Sequence, residues 1–511
     1  MSNSATRAIT FEPIELSFKN LNQNGIPANI LQTDSIKLAV DSFTGYARMH
    51  VCETGSSGVR TVVAQNDLFY WFFESRDSVL WNAPQKPRPL IIWLNGGPGS
   101  SSLAGLFMEN GPLKLGDDDT ASITENPFGW NKNCHLLYWD QPAGTGFSYT
   151  TSDAGYMNSE DELSREFCTA LELFFGSELF KKYRDCPLYL AGESYAGKYI
   201  PNIACELMMN KASYPSVPAL CGTAIGDGWM LPGMQTRVQV EYGFEMGFVD
   251  TRQYLDLLGQ CYTLQEQINT GNYVEANKTG TSIMEQLLSC GGDPNIYDVR
   301  TFTGLSTTLL GAYLNSNGVR QAVGAECEWQ CADNGGPVAD HLEADVYAPA
   351  DKKITQLLEY AKAGALKVLF YTGNFDMSCG FRGTEEMLWN YDFPNIGHAD
   401  LSRLELRHDA KSSSDEKSWR NLDRMVWVMP PNKTLGFVKS LGKLAQVVIV
   451  NSGHLAPMNR PKAARSMISN WIFDLPFPTQ RPDIHERESP VLRSEQTTSR
   501  KEAAPETAMA D

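Results

Sequence analysis

The sequence has no apolar run that approaches the ~20 residues needed to span a membrane, so no transmembrane helix is expected. Residues 1–11 also lack the apolar core, roughly 7–15 residues long, of a secretory signal. As written, the chain predicts a soluble, untargeted protein. Either it stays in the cytoplasm or its leader is not part of this sequence.

Positively charged residues are also outnumbered by negatively charged ones. The 511 residues contain 43 Lys and Arg against 60 Asp and Glu, which gives a formal net charge of −17. Nucleic acid and anionic membranes would repel so acidic a protein, and neither is expected as a partner. With 42% hydrophobic residues the chain can bury a large core, either in about three domains or in one elaborated domain with insertions.

Paired C-x-x-C units are absent, so no zinc site of that kind is expected. The eleven cysteines leave an odd one over. Three lie in apolar patterns typical of buried free thiols: Cys186, Cys205 and Cys221. Two pairs in loop-rich sequence are better disulfide candidates: Cys261 with Cys290, and Cys327 with Cys331. Two glycosylation sequons begin at Asn277 and Asn432, about as many as chance supplies.

The stretch G-E-S-Y-A-G at residues 192–197 places Ser194 inside a G-x-S-x-G pattern. Residues 186–191 predict a short buried strand before it, and residues 198–210 have helix-compatible apolar spacing after it. A serine flanked by glycines at a strand-to-helix corner is typical of a nucleophile elbow. An ordinary tight turn that contains a serine is the alternative.

A second glycine-rich stretch, N-G-G-P-G-S-S-S at residues 95–102, follows the apolar run 89–94, which predicts a strand buried on both faces. Three glycines at residues 96–99 leave backbone N–H groups uncovered by side chains, as an oxyanion hole requires. A phosphate loop is less favoured because the lysine of G-x-x-x-x-G-K-[ST] is missing. A plain turn stays open.

The order of predicted elements indicates the fold class. Antiparallel strands at 36–40, 45–51 and 62–73 come first, followed by buried strands at 135–139, 186–191, 219–225, 366–371 and 445–450, with helices at 160–183, 198–210 and 461–473. Alternating strands and helices favour a parallel sheet. Residues 229–350 read as helices and turns, without buried strands.

We therefore predict an α/β protein with an α/β-hydrolase fold, a mostly parallel central sheet and an inserted, mainly helical cap. The predicted divisions are an irregular segment (1–33), the first part of the core (34–228), the cap (229–350), the second part of the core (351–475) and a disordered tail (476–511). Insertions of this kind often shape access to a site.

In such folds the catalytic partners follow in the order serine, acid, histidine. Asp376 lies five residues after the strand that ends at residue 371, and His454 follows the last strand. The other histidines after Asp376 lie in a polar insert or in the tail: His398, His408 and His485. Ser194 would attack a carbonyl, His454 would carry the proton, and Asp376 would fix the imidazole tautomer. Singly, each residue could be a turn or surface residue.

Backbone donors and two carboxylates complete the predicted site. The N–H groups of Gly97 and Tyr195 would form the oxyanion hole. Glu193 adjoins the predicted nucleophile, and Glu109 follows the glycine loop. Two carboxyls that share a proton have coupled and partly raised pKa values, so they would bind an anion in acid. A solvated glutamate is the alternative for each.

These motifs resemble the serine carboxypeptidase family over roughly residues 35–475. The matches are W-L-N-G-G-P-G-S-S-S at 93–102, the segment around Glu109, D-Q-P-A-G-T-G-F-S-Y at 140–149, G-E-S-Y-A-G at 192–197, G-D-G-W at 226–229, the Asp376 loop, and S-G-H-L-A-P-M-N-R-P at 452–461. The resemblance implies release of C-terminal amino acids from peptides, best in acid, without a metal or other cofactor. It assigns the triad to Ser194, Asp376 and His454.

The resemblance also implies that Asn95, Gly96, Glu109 and Glu193 hold the terminal carboxylate of the substrate, with Gly97 and Tyr195 as oxyanion donors. It implies a vacuolar, lysosomal or secreted protein, which conflicts with the missing leader. Two functions remain as alternatives: an acyltransferase that uses the same acyl-enzyme, and a non-catalytic partner protein that keeps the fold.

Two positions depart from the family pattern. Ser100 replaces a cysteine that commonly pairs with one in the cap. The matching cap cysteine is Cys331, for which Cys327 would be the substitute partner. Leu455 replaces a methionine often found after the histidine, so the leaving-side pocket is expected to differ. Cys379 matches the family's free thiol next to the substrate and is predicted to be the unpaired cysteine.

Overall fold

The structure is a computed structural model that describes residues 8–22, 25–31, 34–77, 87–116, 120–331, 335–394, 418–429, 431 and 433–480. Four features named above lie outside these residues: His398, His408, His485 and the sequon asparagine Asn432. Most of the tail predicted from residue 476 lies outside them too.

The described residues form these strands: β1 (Ile9–Leu16), β2 (Lys19–Asn20), β3 (Ile26–Pro27), β4 (Ser35–Ile36), β5 (Ser42–Thr54), β6 (Arg60–Phe73), β7 (Leu90–Leu94), β8 (Leu113–Leu115), β9 (Ile123–Glu125), β10 (His135–Trp139), β11 (Tyr149–Thr150), β12 (Leu188–Ser194), β13 (Leu220–Gly228), β14 (Lys367–Gly373), β15 (Met425–Met429), β16 (Lys433–Leu441), β17 (Leu444–Ile449) and β18 (Thr479–Gln480).

Most of these strands form one large mixed sheet. Its order is β1-β5-β6-β10-β7-β12-β13-β14-β17-β16-β15-β18, and β2 and β11 pair with β5 and β6. The central strands β10, β7, β12, β13, β14 and β17 run parallel. The strands on both sides of them are antiparallel. The predicted α/β-hydrolase architecture with a mostly parallel central sheet is confirmed.

The helices are α1 (Glu160–Gly176), α2 (Ala196–Met209), α3 (Pro232–Glu245), α4 (Thr251–Asn269), α5 (Tyr273–Cys290), α6 (Thr308–Leu314), α7 (Asn317–Val323), α8 (Pro337–His341), α9 (Glu343–Val346), α10 (Asp351–Lys362), α11 (Phe381–Tyr391), α12 (Ala456–Asn459) and α13 (Pro461–Ile472). No helix in the described ranges is long and apolar enough to cross a membrane.

The central strand β7 is apolar at every position and contributes side chains to both faces of the sheet. In β7, Leu90, Ile92 and Leu94 pack into the core cluster that contains residues of α1, α2 and α10. The intervening Ile91 and Trp93 pack into the opposite cluster, which contains residues of α13. Since successive side chains of a strand point to opposite faces, helices cover both sides of the sheet.

Helices α3 to α9 lie in the chain between β13 and β14, which are neighbouring parallel strands. We call residues 232–346 the helical insertion. Part of it has its own apolar core, built from buried side chains that include Leu257, Leu264, Ile283 and Leu287. The helical character predicted for this part of the chain is observed, while the predicted domain boundaries stay a prediction.

Several predicted elements differ from the structure. Residues 1–33 were expected to be irregular, but β1 pairs with β5 at the edge of the sheet. The strand expected at 36–40 is only the two-residue β4. The helix expected over 160–183 ends at Gly176, because Ser177 has extended backbone angles (φ −69°, ψ 152°). A 3-10 turn follows at Lys181–Tyr183. The predicted tail contributes β18, which pairs with β15.

The predicted disulfides are not formed. Cys261 is a buried free thiol in α4, while Cys290 is an exposed free thiol at the end of α5. Cys327 is also a free thiol, and its Sγ lies 3.1 Å from the carbonyl oxygen of Phe147. Cys379 is a buried free thiol as expected, but it is not the only unpaired cysteine. The loop-rich sequence around these cysteines suggested that they are exposed, but it carries no information on which sulfur atoms lie close together in the fold.

Candidate active site

Ser194 is the last residue of β12, and α2 begins two residues later at Ala196. Its φ of +62° lies in the left-handed region, which is strained for a residue with a side chain and typical of a nucleophile elbow. Gly192 permits this corner because a Cβ there would lie 2.2 Å from the carbonyl oxygen of Leu94. The structure thus has the sharp strand-to-helix turn that the sequence predicted.

The glycine loop after β7 lies directly against this turn. A Cβ on Gly96 would lie 2.3 Å from the backbone nitrogen of Tyr195, so only glycine allows the two segments to approach so closely. Gly97 has a φ of +106°. Neither Gly97 N–H nor Tyr195 N–H donates a hydrogen bond to another described residue. Two backbone donors are therefore available beside Ser194.

His454 and Asp376 form the hydrogen bond that the sequence predicted. His454 Nδ1 lies 2.9 Å from Asp376 Oδ2, and both side chains are buried. The carboxylate of Asp376 also accepts hydrogen bonds from the N–H groups of Ser378 (2.8 Å) and Cys379 (3.1 Å). The backbone N–H of His454 donates a hydrogen bond to the carbonyl oxygen of Tyr297 at 2.7 Å. These bonds fix the orientation of the imidazole.

Ser194 and His454 line one cavity of about 350 Å³. His454 Nε2 is buried, and in the described part of the chain it has no hydrogen-bond partner. The structure therefore places the hydroxyl and the imidazole in the same cavity without a hydrogen bond between them. Of the other predicted site residues, four line this cavity with Gly97: Asn95, Gly96, Glu109 and Glu193. Asp376 lies behind His454.

The two glutamates meet at one end of this cavity, joined by Asn95. The side-chain amide of Asn95 donates to Glu193 Oε1 at 3.1 Å and to Glu109 Oε1 at 3.3 Å. Burial raises the pKa of Glu109 to about 6. Burial, and then the charge of Glu109, raise the pKa of Glu193 well above its usual range. The solvated alternative is excluded, because both side chains are buried.

The rest of the cavity wall is largely apolar. It includes Met108 and Leu455 next to the predicted catalytic groups, and Ile296, Phe302 and Leu305 from the helical insertion. Phe302 is 65% exposed at the cavity's edge. The cavity lining contains no lysine or arginine among the described residues. A ligand in this cavity therefore meets apolar surface on the side of the insertion.

A buried ion pair joins the elbow to the helical insertion. Lys198 in α2 is 2% exposed, and its Nζ lies 2.7 Å from Asp345 Oδ2 in α9. The Tyr195 hydroxyl donates to the same carboxylate oxygen at 3.2 Å. The residue that carries one predicted oxyanion donor is thus held from the insertion side as well. Sequence reasoning missed this link, since the two charges are far apart in the chain.

Asp227 is a second residue that sequence reasoning missed. It lies near the end of β13, is fully buried, and accepts the Gly373 N–H on Oδ1 at 2.9 Å. Ligand-type atoms of Asp227, Asp376 and His454 all lie within 4.8 Å of one another, the spacing a metal ion would need. However, Asp376 already accepts three N–H groups, one of them from His454 Nδ1, so hydrogen bonds account for this cluster. The G-D-G-W string was the available signal.

Comparison with known proteins agrees with the geometry. A family model described as serine carboxypeptidase matches residues 50–474. A probable serine carboxypeptidase CPVL from Dictyostelium discoideum is 30% identical over 464 residues, which cover 88% of this chain and 83% of that protein. A human protein with the same description is 28% identical over 419 residues, covering 80% of each chain.

Among solved structures, the fold is similar to that of Kex1Δp, a prohormone-processing carboxypeptidase from Saccharomyces cerevisiae. The TM-score is 0.68 with 22% sequence identity, over 85% of this chain and 92% of the other. This likeness supports the fold, and the family match covers most of the chain. The resemblance noted in the sequence is confirmed: the chain belongs to the serine carboxypeptidase family and is a serine-type carboxypeptidase with peptides as substrates.

Proposed function

We propose that Ser194, His454 and Asp376 cleave the last peptide bond of a substrate through an acyl-enzyme, and that the paired glutamates bind its terminal carboxylate. The observation that carries this proposal is a shared cavity. Its wall holds the Ser194 hydroxyl, the imidazole bonded to Asp376, and the buried Asn95–Glu193 pair. An exopeptidase needs these reactive and binding groups within one residue's length of each other.

In the first step, Ser194 Oγ attacks the scissile carbonyl while His454 Nε2 takes its proton. The Asp376 bond at Nδ1 keeps the proton of the neutral ring on that nitrogen, which leaves Nε2 free as the base. The N–H groups of Gly97 and Tyr195 stabilise the oxyanion. Hydrogen bonds of the Ser–His kind are often long until substrate binds, in keeping with the unpartnered Nε2.

The tetrahedral intermediate then collapses, and His454 returns the proton to the departing amine, so a free amino acid leaves. Water attacks the acyl-enzyme with His454 again acting as base, which regenerates Ser194. The same acyl-enzyme could pass to an alcohol, which is why an acyltransferase is the function to test against.

The carboxylate of the substrate would enter beside Asn95. In acid, protonated Glu193 and Glu109 act as donors to that carboxylate, together with the Asn95 amide. As the pH rises through about 6, Glu109 loses its proton and the pair becomes an acceptor with negative charge, which disfavours an anionic substrate. Activity on free C-termini is therefore expected to be best in acid, as it would be in a vacuolar or lysosomal compartment.

The test is amino-acid release from N-blocked dipeptides between about pH 4 and pH 8. Ser194→Ala should abolish release and labelling by a fluorophosphonate probe. Glu193→Gln should weaken binding of free-carboxylate substrates more than binding of their amides. Probe labelling with product formed only from an acyl ester and an alcohol would favour the acyltransferase. Absence of labelling in the unaltered protein would favour a non-catalytic role.

A further inference from the structure

The carboxyl of Asp227 lies next to the carboxyl of Asp376, and neither is exposed to solvent. Asp227 sits close to the end of β13, and β14, which leads to Asp376, is its parallel neighbour. Its φ of +41° is unfavourable for a residue with a side chain. A strained backbone and a buried acid in contact with the predicted catalytic acid indicate a functional constraint at this position.

The two carboxyls are supplied with unequal numbers of hydrogen-bond donors. Asp376 accepts three: His454 Nδ1–H and the N–H groups of Ser378 and Cys379. Asp227 Oδ1 accepts one, from Gly373. Its other oxygen, Oδ2, is buried and accepts no hydrogen bond from a described residue. An ionised Asp227 would thus leave a buried anionic oxygen without a donor, which is costly.

Among the described groups that act on Asp227, none is a lysine or an arginine. The titratable groups that face it are Asp376 and Cys379 from the segment after β14, Tyr371 from β14, His454 after β17, Glu193 from β12, and Glu109 from the turn Gly105–Glu109. Burial first, and then the charge of Asp376, raise the pKa of Asp227 well above its usual range. Asp376 is the carboxyl with the larger number of hydrogen-bond donors.

We propose that Asp227 keeps its proton and donates it in a hydrogen bond to Asp376, so that it is a positioning residue for the acid that orients His454. This inference rests on the proposed function of the triad. With this proton, Oδ2 of Asp227 acts as a donor and no longer needs one, and Asp376 gains a fourth hydrogen-bond donor. The arrangement keeps a single negative charge beside the imidazole over the working pH range.

The first test compares Asp227→Asn with Asp227→Ala by the pH dependence of kcat/KM. Asparagine can accept from Gly373 and donate to Asp376 at every pH, so its kcat/KM should stay within about threefold of the unaltered enzyme, with the same acidic limb. Alanine leaves the Gly373 N–H unpaired and removes one donor from Asp376, and it should lower kcat/KM roughly 10- to 100-fold. Thermal unfolding of each variant establishes that it is folded.

The opposite result is well defined. If Asp227 were ionised, Asn would remove a negative charge close to His454 and make protonation of the imidazole less favourable. The acidic limb of Asp227→Asn would then move to lower pH by about one unit or more, which would overturn the proposal. Equal activity of the Ala and Asn variants would overturn it too, because the hydrogen bond would then have no role.

A second measurement does not depend on catalysis. The infrared band of a protonated carboxyl at neutral pH should be weaker in Asp227→Asn than in the unaltered protein. Asp140→Asn is the reference variant: burial raises the pKa of Asp140 to about 7, so part of this carboxyl is protonated at neutral pH and its removal shows the size of the change that one buried acid outside the site produces. An unchanged band in Asp227→Asn refutes the proposal. If the band weakens in Asp227→Asn while the unaltered protein neither releases amino acids nor takes the fluorophosphonate label, the proton assignment stands and the proposed function fails.

Discussion

Replacement of Glu109 by Gln removes the group whose ionisation should control substrate binding, while it keeps the size of the side chain and a hydrogen-bond donor. In the unaltered enzyme, Glu109 ionises near pH 6. Its carboxyl lies 3.3 Å from the Asn95 amide, which also contacts Glu193 at 3.1 Å. A substrate carboxylate bound at that amide would therefore lie roughly 5 Å from the new negative charge.

The size of the effect follows from Coulomb's law. Two unit charges ~5 Å apart, at an effective dielectric constant of about 20, repel each other by about 3 kcal/mol. Because 1.36 kcal/mol corresponds to a tenfold change, the ionised form should be roughly 150-fold less effective on a free-carboxylate dipeptide, relative to its amide. With a pKa of about 6, about 1% of Glu109 is still protonated at pH 8, so the observed fall in kcat/KM between about pH 5 and pH 8 should be roughly 50-fold. In Glu109→Gln this ratio should be nearly independent of pH.

The assay is kcat/KM for an N-blocked dipeptide and for its amide, measured across this pH range. Glu166→Gln is the matched control, because Glu166 is buried with a pKa raised by burial to about 7 but contacts Asn66 instead of the cavity. It should retain the pH dependence of the unaltered enzyme. The reasoning fails if the ratio in Glu109→Gln still falls as the pH rises through 6, or if the amide substrate shows the same fall.

Three further predictions concern stability and specificity. Burial raises the pKa of Asp140 and of Glu166 to about 7, so protonation of these two carboxyls favours the folded state. The melting temperature should therefore fall as the pH rises from about 5 to about 8, and a rise would contradict this prediction. Lys198→Met should lower the free energy of unfolding, measured in urea, by about 3–5 kcal/mol because it leaves the Asp345 carboxylate without its partner. Adding Asp345→Leu should restore most of this loss. Unchanged stability of Lys198→Met alone would refute the role of the ion pair. Phe302→Ala should lower kcat/KM roughly tenfold for substrates with bulky apolar side chains and should change it little for substrates with small side chains. Equal losses for the two kinds of substrate would argue against contact between Phe302 and the substrate.

Features encoded by neighbouring residues were predictable from the sequence. The elbow around Ser194 and the loop at Gly97 depend on glycines within a few positions and on an apolar strand just before them. The order of the strands that carry Asp376 and His454 followed from alternating patterns. These local signals were enough to predict the fold class and the family, both of which are confirmed. The catalytic roles of the residues stay predictions.

Features that depend on distant parts of the chain could not be predicted in this way. Half of the residues of the edge strand β1 are apolar, but most of its side chains are at least partly exposed, and it is the pairing with β5 that makes this segment a strand. The contact between Asp227 and Asp376 joins the ends of two strands that the helical insertion separates in sequence. Nothing local in the sequence revealed that the carboxyl of Asp227 is buried.

The salt bridge between Lys198 and Asp345 bears on how this enzyme can be engineered. The insertion supplies much of the apolar wall, so transplanting it from a relative is the obvious route to new selectivity. Such a chimera would leave Lys198 without a partner charge beside Tyr195, the proposed oxyanion donor, unless the grafted segment has an acid at the position of Asp345. The graft and the scaffold must therefore be chosen as a matched set, with this charge pair as the criterion of compatibility.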